Sequence, residues 1–136
     1  MRAPRVLIIM PEDWPRALLR TRLRDRGYDA VAAPSLAAAT VYPPVDPERG
    51  PFRLLIVEQE ALWQDRDLLG HFIDQHPETR VLLIAQPTGS VPPGPWAAVV
   101  RRPVQSGEVP RAVEALIPQA GSGVVSGESG WGDRGA

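Results

Sequence analysis

Apolar residues along this chain come in short, discrete runs separated by stretches with helical spacing. The run VLIIM at residues 6–10 is continuous, β-branched and bounded by Pro4 and Pro11, which is how a strand buried on both faces reads. Over residues 14–26 the period changes. Leu18, Leu19 and Leu23 fall on one side of a helix, with Arg16, Arg20, Arg22, Arg24 and Arg26 outside it. Asp13 is the predicted N-cap, Pro15 sits early where a helix tolerates it, and Gly27 follows the last turn. Residues 28–33 form a weaker second strand, and residues 35–41 predict two helical turns behind a Ser cap. Pro43, Pro44, Pro47, Gly50 and Pro51 then forbid helix.

A second strong strand follows at 52–57, and Leu68, Leu69, Phe72 and Ile73 predict an amphipathic helix over 67–75. Residues 81–85 predict a third buried strand. The stretch PTGSVPPGP at 87–95 holds four prolines and two glycines and is read as a loop. A short strand at 97–100 and a helix at 107–117, displaying Val109, Val113, Leu116 and Ile117, complete the pattern. From Pro118 the chain turns Gly/Ser-rich, so residues 1–118 are the expected domain and 119–136 a disordered tail. Strands alternating with helices imply a doubly wound parallel sheet of about five strands, α/β in class and flavodoxin-like. Its site should lie at the carboxyl ends of the strands.

Composition narrows the chemistry. The net charge is −1, the pI about 6.1 and 43% of residues are hydrophobic, so neither nucleic acid nor membrane is an expected partner. The absence of Cys excludes thiol catalysis and disulfides, and the absence of Lys excludes a Schiff base. No apolar stretch approaches the roughly 20 residues that span a bilayer, and no signal peptide is recognisable; the expected location is the cytoplasm. His71 and His76 lack a third ligand at metal spacing, with His71 expected at the core edge and His76 in the turn before Pro77. No metal, cofactor or catalytic set is expected, and the chain is not expected to be an enzyme.

Four segments in register give a more specific likeness. The ungapped stretch 6–28, the run FRLLIVE at 52–58, the strand at 81–85 and VVRRP at 99–103 with its following helix resemble the receiver domain of two-component signalling, over residues 5–117. That resemblance implies a phosphoacceptor Asp after the third strand, an acid pair holding Mg²⁺ after the first, a hydroxyl residue on the fourth and a Lys on the fifth. In this chain those positions are Glu58, Met10 with Pro11, Ala85 and Arg102, with the family's Pro kept at Pro103. All four roles have changed. Mg²⁺ usually needs one or two carboxylates, and Met10 and Pro11 offer no oxygen-bearing side chain, while Glu58 carries its carboxylate one methylene further out. The family's fourth helix is replaced by the Pro/Gly loop.

The resemblance therefore implies a degenerate pseudo-receiver that cannot be phosphorylated and works by binding another protein in two-component signal transduction or a phosphorelay. Glu12 and Asp13 are candidate pocket acids, or else a cap and dipole partner for the first helix. Glu58 and Arg102 are expected either as a bidentate ion pair or with Glu58 pointing to solvent. Trp96, Val99 and Arg101 make a candidate partner surface, and a homodimer is a further candidate. Trp131 in the tail is a candidate docking residue. Two other functions stay open. One is a flavodoxin-like small-molecule or cofactor-binding domain, although Glu12 and Asp13 would repel a phosphate at the first helix. The other is a receiver still phosphorylated in an atypical way.

Overall fold

A computed structural model describes residues 3–43, 45–105 and 107–118. In chain order the elements are β1 (Arg5–Ile9), α1 (Asp13–Asp25), β2 (Asp29–Ala33), a 3-10 turn (Ala38–Val41), β3 (Val45–Asp46), β4 (Gly50–Glu58), α2 (Gln59–Gln75), β5 (Arg80–Ala85), β6 (Trp96–Arg101) and α3 (Glu108–Leu116). The sheet runs β2-β1-β4-β5-β6, every neighbouring pair parallel, with β3 set against the start of β4 as a short antiparallel hairpin. This is the doubly wound α/β architecture expected from the pattern.

The apolar runs became the central strands because both faces of the sheet are covered. Val6, Ile8, Leu54, Ile56, Leu82 and Ile84 pack beneath α1 and α3 with Leu19, Leu23, Val109 and Val113. Leu7, Ile9, Leu55, Val57, Val81 and Leu83 face the opposite way, beneath α2 with Ala61, Leu62 and Leu69. The alternation along each strand divides one continuous run between two cores. The Tyr28 hydroxyl donates to the Ile117 carbonyl at 3.0 Å, tying the end of α1 to the end of α3.

Several local expectations are corrected. Glu12, not Asp13, is the N-cap of α1, and no side chain caps that helix. Asp13 lies in the first turn and pairs with Arg16 at 2.5 Å. Leu18 is exposed, so Leu19 and Leu23 alone anchor the helix. Ser35 does accept from the Ala38 amide at 3.1 Å, but the segment it caps is a single 3-10 turn. The helix expected over 67–75 starts at Gln59. It is interrupted at Asp65, whose φ of −126° and ψ of 36° are not helical, and that break hides the first half from a periodicity reading. The hairpin of β3 and β4 was not foreseen; Asp46 accepts from the amides of Glu48 and Arg49 at 2.8 and 2.9 Å, an Asx turn completed by Gly50 at φ 82°. Residues 86–95 contain no helix. The expected tail, with Trp131, lies outside the described residues. No helix among the described residues is long and apolar enough to cross a membrane.

Candidate functional site

Strand register sets the site. Ile9 lies opposite Val57, Glu58 opposite Ile84 and Ala85 opposite Arg101. The residues that follow each strand therefore emerge along one edge of the sheet. The Met10 amide donates to the Ala33 carbonyl at 3.2 Å, and the Arg102 amide to the Ala85 carbonyl at 2.9 Å, so both residues are held by the ladder's last rungs. Gln59 accepts from the Gln86 amide at 2.9 Å, which ties the start of α2 to the end of β5.

Glu58 is buried at 4% exposure, so it does not point to solvent. Its expected partner is present, but not as a fork. One guanidinium nitrogen of Arg102, Nη1, lies 3.4 Å from Glu58 Oε2 and also bonds Glu60, which is its closer partner. The bidentate pair is corrected to a shared one: a single cation between a buried carboxylate and a half-exposed one. Burial pushes the Glu58 carboxyl above its ordinary value, Arg102 pulls it back, and Glu60 and Glu12 push it up again. The Arg102–Pro103 peptide is cis.

Met10, Glu58, Arg102 and Pro103 line one groove of about 470 Å³ between α1, α3 and the strand ends. Ala85 is fully buried behind them, and Pro11 is exposed; neither lines the groove. Glu12 does line it, whereas Asp13 is committed to Arg16. Leu18, Leu19, Val104 and Pro110 give the groove an apolar wall.

The candidate partner surface survives only in part. Val99 is exposed on the edge strand β6. Trp96 is half-buried, its indole N–H donating to the Pro92 carbonyl at 2.7 Å and its ring lying over Gly94. Arg101 donates to the carbonyls of Gln86 and Gly89 and so holds the Pro/Gly loop. The more exposed tryptophans are Trp14 (74%), in the first turn of α1, and Trp63 (68%), at the start of the second turn of α2. Neither was singled out, since a lone Trp early in a helix gives no periodic signal. Glu60 is readable from the sequence as part of the strand end Glu58-Gln59-Glu60, but its pairing with Arg102 is not. The expectations for the histidines exchange places: His71 is exposed and His76 is buried at the end of α2.

No family model matches the sequence, and no curated protein matches it. Solved structures do. A response regulator from Thermotoga maritima superposes with a TM-score of 0.67 at 14% identity, over 86% of this chain and 99% of that one. The non-phosphorylated HemR receiver domain from Leptospira biflexa gives 0.66 at 16% identity, over 85% and 95%. A response regulator receiver protein from Pseudomonas putida gives 0.64 at 19% identity, over 85% and 98%. The fold is thus a doubly wound sheet of flavodoxin-like type. More particularly, it is the fold of receiver domains.

Proposed function

We propose that this chain is a non-phosphorylatable pseudo-receiver that serves as a protein–protein interaction module in signal transduction. The observation that carries this reading is the position of Arg102 against both Glu58 and Glu60 at the strand ends. A phosphoacceptor carboxylate must be open to its donor and share the site with a divalent cation. Here the carboxylate is buried and the cationic position is taken by a guanidinium. The residue that leaves β1 is Met10, which is buried and offers no side-chain oxygen, and whose carbonyl oxygen already accepts from Arg16 at 2.8 Å. These residues do not suit Mg²⁺, and no group of acids or histidines that could hold a metal occurs among the described residues. The chain acts by binding, not by catalysis, and its contacts come from Trp14, Trp63 and Val99, large apolar side chains that water covers in the isolated domain.

Incubation with acetyl phosphate and Mg²⁺, followed by intact-mass measurement, should give no phosphorylated species. Labelling at Glu58 would sink the proposal. For the binding role, the tagged chain is used as bait in extract of its own cell. A specific partner is expected, with retention reduced by Trp63→Ala or Trp14→Ala; retention of nothing above background removes the adaptor role.

A further inference from the structure

The groove at the strand ends combines an apolar wall with unpaired charge of one sign. Leu18 and Leu19 of α1 line it together with Val104, Val109 and Pro110, and it holds about 470 Å³. Small-molecule sites have volumes of that order and are mostly apolar, with a few fixed polar groups. Four charged residues line this one: Glu12, Arg22, Glu58 and Arg102. Both arginines are engaged, Arg102 most closely by Glu60 and Arg22 by a partner of its own. Glu12 forms no ion pair among the described residues, and Glu58 has only its share of Arg102. The charge left unmet in the groove is therefore negative.

Glu58 supplies the second observation. The residue is buried at 4% exposure. Arg102 Nη1 pairs with it by charge at 3.4 Å but donates its hydrogen bond to Glu60. The Glu58 carboxylate accepts no hydrogen bond from a described residue. Carboxylate oxygens act only as acceptors, and burying them without donors is costly. Among the described residues, the side-chain atoms both closed to water and without a hydrogen-bond partner are Arg5 Nε and His76 Nε2. The Glu58 oxygens are not in that closed set, and the space that Glu58 lines is this groove. Burial raises the Glu58 carboxyl, Arg102 opposes, and Glu60 and then Glu12 raise it further. Glu12 thus lies within electrostatic reach of Glu58 and lines the same space.

We infer that the groove binds a small organic cation, an ammonium head carried on an apolar body. The head donates to the Glu58 carboxylate in a charge-assisted hydrogen bond and is drawn in by Glu12 as well. The body lies against Leu18, Leu19, Val104 and Pro110. An anion of the same shape meets two unpaired carboxylates, and a neutral molecule gives up the attraction of both. The inference rests on the reading of Glu58 as a carboxylate that takes neither phosphate nor Mg²⁺, and it goes further by giving that carboxylate a ligand.

The test uses phenethylamine as the probe, with phenethyl alcohol and phenylacetate as its neutral and anionic counterparts. Binding is followed by NMR of the Leu18, Leu19 and Val104 methyls and of the Glu58 side-chain carboxyl. The amine should shift all of them, and the alcohol should bind about ten-fold more weakly, with phenylacetate weaker still. Saturating amine should move the Glu58 titration to lower pH, because a neighbouring cation favours the carboxylate. Glu58→Gln should bring the amine down to the affinity of the alcohol, and Glu12→Gln, at an exposed position, should cost about two- to three-fold. Because Glu58 is buried, Val104→Trp provides a second route. Val104 is partly exposed, and an indole there should fill the groove and abolish amine binding with both acids intact. Alcohol or phenylacetate binding as tightly as the amine overturns the inference. So does a Glu58 titration unmoved by saturating amine, or amine binding that Val104→Trp leaves unchanged. The acetyl phosphate experiment separates two failures: labelling at Glu58 removes the pseudo-receiver reading and this ligand together, whereas an unlabelled chain indifferent to the amine loses only the ligand.

Discussion

Two buried charges, Arg5 and Glu58, sit at opposite ends of the paired strands β1 and β4, and they are held in different ways. Arg5 is 1% exposed, its Nη1 donates to the Gly50 carbonyl at 2.8 Å, and its guanidinium carbon lies 3.9 Å from the centroid of Phe52. Among the described residues it forms no ion pair. Burial draws its basicity below the ordinary value, with Asp46 and Asp29 opposing from a distance. Glu58, by contrast, has a charged partner, and that partner is shared with Glu60. Arg5 is fixed by a carbonyl and a ring that belong to the fold. Glu58 depends on a cation that has an alternative. The difference separates a charge that is part of the scaffold from one that a binding event could redistribute.

The largest effect should come from breaking the scaffold end. Arg5→Ala removes a fully buried side chain and strands the Gly50 carbonyl, so denaturant unfolding should show a loss of about 3 kcal/mol. An unfolding midpoint unchanged from the parent would mean that Arg5 is only incidentally buried. Phe52→Leu should cost about 1–2 kcal/mol through lost volume. Combined with Arg5→Leu in a double-mutant cycle, it should show a coupling of about 0.5–2 kcal/mol from the ring–guanidinium contact.

The other end should respond with the opposite sign. Because the folded pKa of Glu58 is raised above the ordinary 4.5, the folded chain keeps a proton that the unfolded chain has released. Its contribution to stability is therefore complete below 4.5 and is lost as pH rises through the raised folded value. Glu58→Gln should remove that dependence and gain about 0.5–1 kcal/mol at neutral pH, with Arg102 left to Glu60. Thermal unfolding at several pH values tests both statements; a loss of stability at neutral pH on substitution would show that the carboxylate is well paired after all.

The contrast also marks how far the chain could be read from its residues. The strands at 6–10, 52–57 and 81–85 were legible because, Arg53 apart, they are buried on both faces, which leaves little polar alternation to confuse the period. Glu58 and Arg102 were legible as strand-end residues brought together by the fold. Arg5 was not, since a charged residue beside Pro4 reads as a strand's exposed beginning, and its burial is made tolerable by the hairpin carbonyl of Gly50 and the ring of Phe52. The histidines were misplaced for a related reason. Which side of α2 faces the sheet depends on its start at Gln59 and its break at Asp65, and neither follows from residues 67–75 alone. Non-periodic features decided what periodicity could not.

Glu60→Gln is the smallest and sharpest test of the comparison. Glu60 is half-exposed and so contributes little net stability by itself, because an exposed pair loses most of its attraction to solvent screening. Removing its charge should change unfolding free energy by no more than about 0.5 kcal/mol. It should nonetheless leave Arg102 with Glu58 as its one charged partner in the groove, and it deletes one of the two acids that raise the Glu58 carboxyl. The pH at which Glu58 titrates, followed by ¹³C NMR of its side-chain carboxyl, should move down toward the ordinary value. A titration that stays where it was would mean that Glu60 and Arg102 form a pair of their own, with Glu58 a bystander beneath it.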